Sequence, residues 1–219
     1  MNLQKKVKEI LNIILEIEYL KADLLSISNS DTSYYKSVIT SSESFTRIYR
    51  NSYKLFVIEL AKLLDSKEHF CLLSLVNYLL TNEKEIEWKR DFEKSKLIVY
   101  RDEILKLEKE NLKSIKTLRD KFYAHTDKNR RDHLPVPYSF QKGCEILKQL
   151  REIFEDIIFH LNNQKIMFDH ILSTLTGEMV ILYRYKQIRE LIFEKLKESP
   201  NLGELQQIRD ITIGKPASN

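Results

Sequence analysis

The stretch LQKKVKEILNIILEIEYL, residues 3–20, decides the fold class. Leu3, Val7, Ile10, Leu11, Ile14, Ile17 and Leu20 recur at three- and four-residue spacing. That period puts them on one face of an α-helix, which is therefore amphipathic and core-facing. The pattern carries on past a Ser/Asn/Asp cluster at Ser26–Asp31, where Asp31 or Thr32 can cap a second helix. Tyr35, Ile39, Phe45, Ile48, Tyr49, Tyr53, Phe56, Leu60 and Leu63 form its stripe, which bends at Ser41-Ser42 and ends at Asp65-Ser66. Phe70 to Leu80 is almost wholly apolar and reads as a short helix deep in the core.

From Glu83 a long charged helix is expected, with Ile86, Phe92, Leu97, Tyr100, Ile104, Leu107, Leu112, Ile115, Leu118 and Phe122 as its apolar stripe. Pro135 and Pro137 close a basic loop over Asp127–Pro137, because proline cannot sit inside a helix. Ser139 then caps a helix from Phe140 to about Asn162. A last helical region runs from Ile166 to Lys197, loosened near Thr174–Gly177. No strand alternation and no internal repeat interrupts these signals. The expected fold is an all-α bundle of long antiparallel helices. Residues 1–200 form one helical domain, 166–200 being a peripheral helical appendage and 201–219 a partly disordered tail.

Composition narrows the function classes. Four glycines and four prolines in 219 residues, with 31% charged residues, fit a helix-rich chain. A net charge of +4 permits phosphate-rich partners without demanding them. Cys71 and Cys144 lie among apolar residues and read as packed thiols. The N-terminus alternates charge with apolar residues, and no run approaches the roughly 20 apolar residues of a membrane span, so an intracellular protein without membrane contact is expected. His69, His160 and His170 are scattered, which argues against a zinc site. With no phosphate-cradling glycine loop and no nucleophile elbow, no cofactor is expected. Lys5, Lys6 and Lys8 read as a solvated face, and Trp88 as a half-exposed packing residue.

The chemistry-bearing segment is Leu118-Arg119-Asp120-Lys121-Phe122-Tyr123-Ala124-His125-Thr126-Asp127. Arg119 is permanently cationic and can fork onto a phosphate. His125 is the residue type whose ordinary pKa suits proton transfer near neutrality. Asp120 can orient either. Lys128, Arg130 and Arg131 follow directly and can hold flanking phosphates, although Asp127 and Asp132 dilute their charge. Six residues turn an ideal helix by about 600°, which leaves Arg119 and His125 roughly 120° apart. The two converge only if the helix loosens or a second surface completes the site.

This segment resembles the HEPN superfamily, whose motif joins an arginine, a polar residue after it and a histidine a few positions on. The fuller string resembles the AbiU-type abortive-infection branch. Weaker likeness extends over Leu60-Ala61-Lys62-Leu63-Leu64-Asp65, the Ser74-Leu75 helix and Ser139 to Leu161. The resemblance implies a helical bundle that homodimerises so that two motifs face one another. It also implies metal-independent cleavage of RNA to a 2′,3′-cyclic phosphate in the bacterial cytosol, in a phage-defence or toxin setting with an antitoxin or defence partner. Arg119 would stabilise the transition state, His125 would act as acid and base, and Asp120 would be the polar helper. One branch of the superfamily carries a tyrosine two residues after the histidine, as the target of a partner enzyme; this chain has Asp127 there. The competing reading is a non-catalytic interaction or nucleotide-binding module, in which Arg119 pairs with an acidic residue of a neighbouring helix and His125 caps a helix end.

Overall fold

Six helices carry most of residues 2–28, 39, 42–119, 139–173 and 175–198, which are the residues described by a computed structural model of the chain. No strand occurs among them. The chain divides into two compact units, Met1–Ser173 and Thr174–Asn219. The first holds α1 (Leu3–Ser28), α2 (Glu43–Leu64), α3 (Leu72–Thr81), α4 (Ser95–Thr117) and α5 (Phe140–Asn162). The second holds α6 (Leu175–Glu198). The expected all-α bundle is therefore what the chain forms. None of the described helices is long and apolar enough to cross a membrane. Residues 201–219, expected to be a disordered tail, lie outside the described residues.

The first unit is built around α1 and α2. Ile10, Ile14, Ile17 and Leu24 of α1 share one core with Phe56, Leu60, Leu63 and Leu64 of α2, all fully buried. α3 packs on α1, α2 and α4 through Leu72, Leu75, Val76 and Leu79, so the short apolar helix does lie in the core. α5 adds Leu147, Leu150, Phe154 and Ile157 against α1 and α2. Fully burying a side chain of this size contributes about 1.5–3 kcal/mol, so the amphipathic stripes supply most of the driving force. One buried acid inside the bundle is paired with cations. Glu18, 2% exposed, bonds Lys21 and Arg151, and Arg151 Nη1 stands 3.3 Å from it.

Four expectations need correction. The second helix does not bend through Ser41-Ser42: Ser42 is extended (φ −100°, ψ 112°) and caps a new helix by accepting from Phe45 N. Ile39 before it is helical, and residues 29–38, 40 and 41 are outside the described set. The long charged helix starts at Ser95, after a single turn at Glu83–Glu85, and not at Glu83. Ile86, Trp88 and Phe92 pack on the core from an irregular segment between them, with Trp88 stacked on Phe92 at 4.3 Å. Lys6 is no part of a solvated face. It is 5% exposed, and its Nζ donates to His69 O and Ser74 Oγ at 3.0 and 2.9 Å; burial lowers its pKa. The last helical region is not continuous, since only one turn at Phe168–His170 precedes α6.

The end of α5 follows its sequence closely. Ser139 Oγ accepts from Lys142 N at 3.1 Å, and Asn163 terminates the helix in the left-handed region (φ 54°), which asparagine tolerates. Replacing Ser139 with alanine should cost about 1 kcal/mol of stability and replacing it with glycine only a few tenths, because glycine keeps the cap backbone accessible. Urea unfolding of the two variants beside wild type checks this order.

Candidate functional site

The end of α2, the loop that follows it and the end of α4 come together at one place. Asp65 closes α2: its N–H donates to Ala61 O at 2.9 Å and its backbone then turns extended (φ −73°, ψ 113°). The side chain is 3% exposed. One carboxylate oxygen accepts from Lys67 N at 3.1 Å and the other meets Lys116 Nζ of α4 at 2.5 Å. Burial acts to raise the pKa of this carboxyl. The Lys116 and Lys67 hydrogen bonds, with the charges of Lys116 and Arg119, outweigh it and hold the group below its ordinary value.

Further contacts bind the loop to the same face of α4. Ser66 donates from N and Oγ to Glu108 Oε1 at 3.0 and 2.6 Å. Glu68 N donates to Asp65 O at 2.9 Å, and Glu68 Oε1 stands 3.8 Å from Arg119 Nη1. On an ideal helix Glu108, Lys116 and Arg119 fall within about 80° of one another, which is why one loop can meet all three. From the opposite side Lys6 and Ser74 hold His69 O, and Cys71 caps α3 through its sulfur. Residues 65–71 are thus tied to α1, α3 and α4 at once.

Arg119 sits just past α4, where the helix widens at Leu118–Arg119 to π-type spacing. The arginine side chain is 24% exposed and Glu68 44%. Of the residues singled out in the sequence, Arg119 alone is described. Asp120, His125, Lys128, Arg130 and Arg131 lie outside the described residues, as does Phe122 of the expected stripe. The ion pair of Arg119 with a neighbouring acidic residue is present, with Glu68 as the partner. Sequence reading took Asp65 only as a helix stop and passed over Glu68, Glu108 and Lys116. The legible signal was the three-residue step from Lys116 to Arg119, two cations on one helix face opposite an acidic loop.

Replacing Lys116 with methionine should cost about 3 kcal/mol in urea unfolding, the lower end for breaking a buried pair, since Lys116 keeps 28% exposure. The sign with pH follows from the lowered pKa of Asp65. Its stabilising contribution is present above the unfolded value near 3.9 and lost as pH falls through the folded value. Without Lys116, burial dominates, so acid unfolding of the variant should set in at higher pH than in wild type.

Comparison of the chain with protein-family models, with curated proteins and with solved structures returns no match. A role must therefore be argued from the residues themselves.

Proposed function

We propose that this chain is a HEPN-like, metal-independent endoribonuclease that works as a homodimer in the bacterial cytosol, in a phage-defence or toxin setting. The observation that carries the reading is the placement of Arg119. It opens the Arg119–His125 motif three residues past Lys116, beside the Asp65–Lys116 pair, with a quarter of its side chain open to solvent. Its ion pair with half-open Glu68 spans 3.8 Å, longer than a charge-assisted hydrogen bond.

The chemistry is phosphoryl transfer within RNA. A base removes the proton of a 2′-hydroxyl, and the 2′-oxygen attacks the adjacent phosphorus. The 5′-oxygen leaves with a proton from an acid, giving a 2′,3′-cyclic phosphate and a 5′-hydroxyl. His125 supplies the proton transfers, Arg119 the cation for the crowded phosphorus, and Asp120 the orientation of either. Lys128, Arg130 and Arg131 would hold flanking phosphates.

A second reading has its own support. Arg119 already belongs to an acidic network with Glu68 and Asp65, as expected of a non-catalytic helical module whose arginine braces the bundle. The two readings separate on one experiment: a structured RNA incubated with purified protein in EDTA. The ribonuclease reading expects cyclic-phosphate ends, lowered about 100-fold or more in both Arg119→Ala and His125→Ala at unchanged helix content. Equal cleavage by all three proteins, or none from a folded wild-type dimer, would leave the module.

A further inference from the structure

The C-terminus of α5 carries a second arrangement that the motif does not use. A shallow pocket of about 510 Å³ is lined by Trp88, Lys89, Arg90, Asp91, Phe159 and His160. Its frame is fixed. The N–H groups of Lys89 and Arg90 donate to His160 O at 3.0 and 3.1 Å and so satisfy the helix end. Arg90 lies 4.1 Å from the centre of the Phe159 ring, and its Nε donates to Oδ1 of Asn163, whose left-handed backbone ends the helix. Trp88 has Phe92 stacked on one face. His160 Nδ1 stands 2.8 Å from Asp156 O. A carbonyl only accepts, so that nitrogen carries a proton, and the Asp156 carboxylate stands 3.6 Å from it as well.

The helix-end clamp accounts for the two backbone bonds and for Arg90 Nε. It does not use the terminal nitrogens of Arg90 or His160 Nε2, which have no hydrogen-bond partner among the described residues. An arginine held over an aromatic ring and pinned at Nε is already oriented to receive an oxyanion with its remaining donors. Charge alone does not make this a phosphate site. Asp91 lines the pocket, Glu87 pairs with Lys89 at 2.9 Å, and the negative end of the α5 dipole lies beneath it. A ligand that binds here must gain from the aromatic rings as well. Base stacking on aromatic side chains or a guanidinium plane supplies that gain, and it tolerates any base.

We propose that this pocket is a subsite for one nucleotide of single-stranded RNA, its base against the Trp88–Arg90–Phe159 surface and its phosphate on Arg90 and Lys89. The assignment rests on RNA being the ligand class of this chain, but not on cleavage.

Trp88 is the single tryptophan of the sequence, so its emission reports on the pocket alone. The full-length protein is titrated at low salt with a short single-stranded RNA whose riboses are 2′-O-methylated, which blocks cleavage. The expected result is saturable quenching, about tenfold weaker in affinity for Arg90→Gln, with no response to inorganic phosphate. Should Arg90→Gln shift the unliganded emission maximum, Lys89→Gln replaces it as a variant that leaves the clamp intact. No saturable change, equal affinity in the variants, or equal binding of inorganic phosphate overturns the subsite. Quenching without cleavage of ordinary RNA keeps the subsite and removes the ribonuclease reading. Cleavage without quenching does the reverse.

Discussion

The carboxylate of Asp65 is the constraint on which the first unit depends. A group only 3% exposed stays ionised at little cost only where hydrogen bonds and a countercharge replace water, and here Lys116 and the Lys67 amide do so. Meeting that demand fixes three things together. It stops α2, sets the path of residues 65–71 and ties the end of α4 to the end of α2. Lys6 answers from the other side by giving its buried ammonium to the same loop. Remove Lys116 and a buried carboxylate oxygen loses its countercharge; remove Lys6 and the loop loses one of its two side-chain bonds at His69 O. The loop therefore acts as a joint between helices and not as a loose connection.

Arg119 takes its position from that joint. It lies one turn beyond Lys116 on the same face of α4, near enough for its charge to help keep Asp65 ionised. Glu68, donating its own N–H to Asp65, turns back toward the guanidinium. A cation braced by a buried pair below and faced by a half-exposed carboxylate is oriented before any ligand arrives, which lowers the entropic cost of binding. The same arrangement serves a purely structural arginine equally well. What separates the two is whether an external phosphate meets this residue.

Legibility in the sequence followed the range of the interactions. α1, α3 and α5 were readable because their signals are local: three- and four-residue apolar spacing for α1, a nearly unbroken apolar run for α3, and for α5 the prolines before it and a serine cap at Ser139. The start of α4 was not. No proline or glycine breaks Glu83–Glu93, yet the segment is held by Lys89 and Arg90 amides on His160 O, some seventy residues away. No local pattern announces such a bond. Lys6 stands three residues from Leu3 and four from Ile10, inside the apolar stripe. The partners that satisfy its burial, His69 and Ser74, lie more than sixty positions along the chain and were hidden for the same reason. At the candidate site the arginine was legible from its motif, whereas Asp65, Glu68 and Glu108 become meaningful only once α2 and α4 are seen to meet.

The most direct test of the central claim, that Arg119 is presented to an RNA phosphate, is the salt dependence of RNA binding. Affinity for a 2′-O-methylated single strand would be measured across a salt series for wild type and for Arg119→Ala. A phosphate contact predicts weaker binding by the variant and a salt slope shallower by about 0.7, the share of one neutralised phosphate on a single strand. Equal affinity and an equal slope would contradict the claim and leave Arg119 as a brace between α4 and the loop after α2.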